Sequence, residues 1–208
     1  EPLHLWCEDW EVRARDGGDG LVPARLAAKT DEFAFEFEVA PGKPIVLQGD
    51  RGLSQKSGEA GNASIYYSAT RLPVRGTITV GGARHEVAGA GWCDREWSTS
   101  ALGAGLVGWD WFSLQFDDDS ELMWYRLRDE QGREGTHSQG LFVRADGSSE
   151  RLLIGNVEAS PRGSFRARDG RAEYPASWRL QSAALQLDIE VVPLVADQEL
   201  HTMVRYWE

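Results

Sequence analysis

At 208 residues, the chain is long enough to bury a sizeable core as one large or two smaller β domains. Hydrophobic residues at 41% and charged residues at 26% exclude wholesale disorder, and a formal net charge of −11 with no basic cluster disfavours a nucleic-acid partner. No run approaches a transmembrane span, and two cysteines, Cys7 and Cys93, are too few for a disulfide framework and match no zinc spacing.

Period-two alternation recurs along the chain while helical periodicity is scarce, which predicts a succession of short β-strands. Phe33, Phe35, Phe37 and Val39 alternate with Ala34, Glu36 and Glu38 as a half-buried strand. Asp50 to Asn62 has no strand pattern and reads as a Gly/Ser-rich loop, followed by Tyr66-Tyr67-Ser68. The two tyrosines point to opposite faces if that run is extended, so at most one lines a given cavity. A short run ending at Val87 follows the turn Gly81-Gly82. Leu122 to Leu127 follows the hairpin turn Asp117 to Ser120, and Gly140 to Val143, Leu152 to Ile154 and Leu185 to Val191 continue the pattern. Asp146-Gly147 and Asp169-Gly170 supply turns. Such a chain is expected to be all-β, with antiparallel sheet closed into barrels or sandwiches. The cysteines are expected as two buried thiols rather than a bridge.

Nine tryptophans are the compositional outlier. Each carries a large apolar area and one donor, which suits core packing or the wall of a ligand site. In Gly108 to Phe116, one strand row holds Asp110, Phe112, Leu114 and Phe116, so a carboxylate shares a row with three core-type side chains. Trp109 and Trp111 belong to the opposite row. Upstream, Asp94 and Glu96 stand at i, i+2 in Trp92-Cys93-Asp94-Arg95-Glu96-Trp97. Aromatic walls with embedded acids point to a lipophilic pocket equipped for acid chemistry. A carboxyl pressed against apolar rings is held protonated by burial, and tryptophan faces stabilise a cation. The competing reading makes Asp110 a buried partner of Arg95, Arg126 or Arg128, and makes Asp94 and Glu96 ion-paired or solvated rim acids. No metal-ligand spacing involves His85 or His137, and Gly-Xaa-Ser-Xaa-Gly does not occur.

These segments also carry a family resemblance. Leu47-Gln48-Gly49-Asp50, Tyr66-Tyr67-Ser68, Trp92, Asp94-Arg95-Glu96-Trp97 and Gly108-Trp109-Asp110-Trp111-Phe112 resemble the AttH-like and carotenoid 1,2-hydratase family. Tyr174-Pro175 with Trp178, Gln198-Glu199-Leu200 and Tyr206-Trp207-Glu208 extend the likeness over nearly the whole chain. The family's Trp/Tyr-rich N-terminal part and the tail after Tyr-Trp-Glu are absent, and Cys93 stands where methionine is expected. The resemblance implies two lipocalin-like β-barrels, incomplete at both chain ends: residues 1–98 as part of a first barrel and 99–208 as a second, joined near Ser98 to Leu106. Members include hydratases of isoprenoid double bonds, phytoalexin hydratases of fungi and polyene pericyclases.

The expected activity is therefore acid-catalysed hydration or rearrangement at a double bond of a small lipophilic molecule, without cofactor or metal. Asp110 is the expected acid, with Asp94 and Glu96 as supporting or alternative carboxylates. Trp92, Trp97, Trp109, Trp111, Tyr67 and Tyr125 are the expected substrate-binding residues, and Trp178 is assigned to packing. A non-catalytic carrier for a hydrophobic ligand is the alternative, and a hydrolase using the same pocket a third. The discriminating feature is whether a carboxyl faces the cavity without an arginine partner. The start at Glu1-Pro2 without methionine leaves exported (periplasmic) and cytoplasmic locations both open, and the chain reads as a fragment of a longer protein.

Overall fold

A computed structural model describes residues 3–15, 20–98, 102–201 and 205–208. Among them there is no helix, and all strand pairing is antiparallel. The first part of the chain forms one eight-stranded sheet. Its strands are β1 (His4–Cys7), β2 (Trp10–Ala14), β3 (Ala24–Lys29), β4 (Phe33–Val39), β5 (Val46–Leu47), β6 (Leu53–Gln55), β7 (Ala63–Val80) and β8 (Ala83–Ser98). The long hairpin β7–β8 is its spine. The far half of β7 pairs with β4, and its near half pairs with the short β5 and β6. A register shift between Ala69 and Leu72 separates the halves. This bulge frees Thr70 and Arg71 from the ladder with β8, and both turn toward Glu121.

The second part builds three smaller sheets. β9 (Leu106–Gln115), β10 (Glu121–Asp129), β11 (Gln139–Val143) and β12 (Ser149–Leu153) form a meander. β13 (Glu158–Arg166), β14 (Glu173–Ser182) and β15 (Leu187–Val191) form a three-stranded sheet, and β16 (Glu199–His201) pairs with β17 (Arg205–Trp207). Part of the expected junction, residues 99–101, lies outside the described residues.

The β9–β10 ladder separates two apolar clusters. On one face Phe112 and Trp124 pack with Trp178 and Leu180 of β14; Phe112 and Trp178 meet edge to face at 5.2 Å between ring centroids. On the other, Met123, Tyr125 and Leu127 pack with Tyr66 of β7, with Trp92 and Trp111 against them. Strand alternation distributes β9 accordingly: Phe112 goes to the first cluster and Trp111 to the second.

The turn between β9 and β10 is pinned from the bulge. The Glu121 side chain is fully buried and accepts from Arg71 Nε at 2.5 Å and from Lys43 Nζ at 2.9 Å. Two expectations are corrected. The Asp50 to Asn62 segment contains β6, because Leu53 to Gln55 pairs with Ala63 to Ile65 of β7. Both cysteines are free thiols, but Cys7 is exposed because β1 is the outer edge of its sheet; Cys93 is half-buried.

Candidate functional site

Between the near half of β7–β8 and the face of β9–β10 that carries Trp109 and Trp111 lies a half-open cavity of about 450 Å³. Alternation on β7 aims Ser64, Tyr66 and Ser68 inward, all buried, while Ile65 stays exposed on the outer face. The hairpin register sets Tyr66 opposite Glu96 and Ser68 opposite Asp94, so both carboxylates share the cavity face. On the facing wall, Trp111 pairs in register with Tyr125 and Trp109 with Leu127.

Asp94 is held by three neutral donors. The Tyr66 hydroxyl donates to Oδ2 at 3.0 Å; Ser68 Oγ and Trp92 Nε1 donate to Oδ1 at 2.5 and 2.9 Å. Two of the donors are themselves oriented. Trp111 Nε1 donates to the Tyr66 hydroxyl at 3.3 Å, and Gln48 Nε2 donates to Ser68 Oγ at 2.8 Å. No ion pair among the described residues involves Asp94. An indole N–H can only donate, so a proton carried by Asp94 belongs on Oδ2, toward Tyr66. Burial and the Asp94 charge push the Tyr66 phenol well above its ordinary value.

Glu96 is handled differently. Lys56 Nζ lies 2.8 Å from its Oε1, and Ser64 Oγ donates to the same oxygen at 2.5 Å. Lys56 is buried, with its ammonium 4.3 Å from the Tyr125 ring centroid and 5.6 Å from that of Tyr66. The Tyr125 ring is clamped through its hydroxyl, which accepts from Gln139 Nε2 at 2.7 Å and meets Ser54 Oγ at 2.8 Å.

Asp110 lies on the other side of β9 and is absent from the cavity wall. Its Oδ2 is 3.1 Å from Arg126 Nε and 3.0 Å from Arg128 Nε, and its side chain is 8% exposed. Burial pushes its carboxyl up, with Arg128 and Arg126 pulling against it. The register explains the partners, since Arg126 faces Asp110 directly across the β9–β10 ladder. Of the expected binding residues, Trp109, Trp111 and Tyr125 line the cavity, and Trp92 borders it through its bond to Asp94. Tyr67 and Trp97 sit together on the opposite sheet face, ring centroids 5.8 Å apart, with Trp97 exposed.

Lys56, Tyr66, Ser64 and Ser68 were not among the expected site residues. The Ser-Xaa-Tyr-Xaa-Ser alternation of β7 carried a signal, a polar row facing the acid row of β8. Lys56 sits in a loop without periodicity and carried none. Among the described residues, no group of three or more His, Cys, Asp or Glu could hold a metal ion, and no helix is long and apolar enough to cross a membrane.

The sequence matches the family described as AttH-like over residues 1–208, and the chain belongs to that family. A crystal structure of a putative AttH from Nitrosomonas europaea is similar, with 30% identity and a TM-score of 0.86. The match covers 98% of this chain and 62% of that one. Kievitone hydratase from Nectria haematococca shares the fold at 18% identity and a TM-score of 0.75, over 97% of this chain and 60% of that one. The chain thus spans less than two thirds of the length of these solved relatives. A search of curated proteins gave no match.

Proposed function

We propose that the cavity carries out acid-catalysed addition of water to, or rearrangement of, a double bond in a lipophilic isoprenoid or polyene substrate, with Asp94 as the acid. One observation carries this reading: Asp94 faces the cavity among neutral donors, whereas Asp110 is paired with two arginines away from it. The structural likeness to a hydratase is consistent with it.

The chemistry balances without a cofactor. A proton on Asp94 Oδ2 passes to one alkene carbon, the π pair forming the new C–H bond, and the neighbouring carbon becomes a cation. Water attacks that carbon and returns a proton to the Asp94 carboxylate. Loss of a proton from an adjacent carbon instead gives rearrangement. The faces of Trp109, Trp111 and Tyr125 stabilise the cation, and the clamped Tyr125 hydroxyl keeps its ring in place. Tyr66 accepts from Trp111 and meets Asp94, so its hydroxyl donates to the carboxylate and accepts from the protonated acid.

A panel of prenylated and polyene compounds, scored by mass spectrometry for gain of one water or for an isomer, tests the activity. Turnover lost in Asp94→Asn and kept in Glu96→Gln supports the assignment; turnover kept in Asp94→Asn defeats it. The carrier reading is favoured by the full bonding of Asp94 inside an aromatic cavity. It predicts saturable binding with no product from any member of the panel.

A further inference from the structure

The charged groups of the cavity are unbalanced. Among the described residues, Asp94, Glu96 and Glu208 are on its wall against a single cation, Lys56. Lys56 is already engaged by Glu96, which leaves the Asp94 carboxylate bonded only to neutral groups. Arg126 and Arg128 of the facing sheet do not redress this, because both are paired with Asp110.

The wall also accepts positive charge on its ring faces. The ammonium of Lys56 lies over Tyr125 and Tyr66, within the distance at which the negative face of a ring attracts a cation. Trp109 and Trp111 add two indole rings to the same cavity wall. Aromatic faces backed by a carboxylate, in a site partly removed from water, are the elements that bind alkylammonium groups. An anionic head would meet Asp94 and find Lys56 already occupied.

From these observations we propose that the cavity is a binding site for a lipophilic organic cation, an alkylammonium or protonated amine with an apolar tail, seated between Asp94 and the rings of Trp109, Trp111 and Tyr125. The inference rests on the cavity being the ligand site of the previous section, but requires no catalysis.

Titration of tryptophan fluorescence with octyltrimethylammonium, 1-octanol and octanoate, each below its micelle concentration, tests it. The ammonium should bind about tenfold more tightly than the alcohol, with octanoate weakest. Asp94→Asn should bring ammonium and alcohol to within about threefold of each other, leaving the alcohol affinity unchanged. Lys56→Met removes the resident cation and should tighten ammonium binding further. Equal affinity of ammonium and alcohol in the unaltered protein overturns the proposal and leaves the lipophilic cavity standing. A preference that survives Asp94→Asn also overturns it, because it then comes from the other carboxylates or from the overall charge of −11 and not from Asp94. Failure of all three probes to bind overturns both the proposal and the lipophilic-site reading.

Discussion

Replacing Asp94 and Asp110 in turn by asparagine separates a reacting acid from a structural one. Asparagine at 94 keeps a carbonyl oxygen for Trp92 and Ser68, and its amide nitrogen donates to the Tyr66 hydroxyl, which turns its proton away. Each of the three charged hydrogen bonds, worth about 1.5–3 kcal/mol, becomes a neutral one worth about 0.5–1.5. This loss is partly offset because a neutral amide costs less to bury than a carboxylate, so Asp94→Asn should lose about 1–2 kcal/mol of stability. Turnover should fall on the order of 100-fold or more, as when a general acid loses its proton. Ligand affinity for a neutral compound should stay nearly unchanged.

Asparagine at 110 has a different consequence. Arg126 and Arg128, 16% and 31% exposed, lose their shared counter-charge. Breaking a buried pair costs about 3–5 kcal/mol. Here burial of Asp110 itself outweighs its two arginines, and removing the charge relieves that burden. The expected loss is therefore well below that of a fully buried pair. Urea denaturation reads both variants, provided the m-values match that of the unaltered protein. An Asp110→Asn protein of full stability but no activity, beside an active Asp94→Asn protein, would refute the reasoning.

Three further outcomes are expected. Glu121→Ala leaves Lys43 and Arg71 facing each other without the fully buried carboxylate, and should cost about 3–5 kcal/mol by urea midpoint. Trp178→Ala opens the core beside Phe112 and should cost about 3–5 kcal/mol, while leaving cavity-ligand affinity nearly unchanged in a fluorescence titration; Trp111→Phe should do the reverse. Tyr66 keeps its proton to higher pH when folded, so its contribution is complete below about pH 10. Above that value the unfolded chain binds fewer protons than the folded one, and stability should fall by about 1.4 kcal/mol per pH unit, a slope that Tyr66→Phe removes in melts at rising pH.

Much of the fold was legible because alternation is a local property. Phe33 to Val39 forms a strand over the expected residues, and the row containing Phe112 faces a core as its apolar members required. β1 to β3 were not legible: Trp10 to Ala14 and Ala24 to Lys29 mix charges and alanines, and become strands through pairing with neighbours. β6 escaped for the same reason, since three residues carry no periodicity of their own. The aromatic wall was half legible. Trp109, Trp111 and Tyr125 were recognisable as ring-bearing strand residues, but the choice of Tyr66 over Tyr67 depends on which face of the sheet meets β9.

The position of the cavity carboxylate follows from that same geometry. β9 has apolar partners on both faces, so either of its rows could have been assigned to a ligand site from pattern alone. The row of Asp110 looks the more enclosed because Phe112, Leu114 and Phe116 share it. Yet enclosure on a strand of a core sheet demands a counter-charge, and the antiparallel register delivers one by setting Arg126 opposite Asp110. Asp94 sits on the hairpin facing the Trp109–Trp111 row, where serine, tyrosine and tryptophan donors bind its oxygens without cancelling its charge. The tryptophans that flank Asp110 in sequence thus line a cavity with a carboxylate from a different strand. In a β chain, neighbours in sequence fall on opposite faces, so the rings beside an acid come from two residues away on its own strand, as Trp92 does for Asp94, or from another strand, as Tyr66 does.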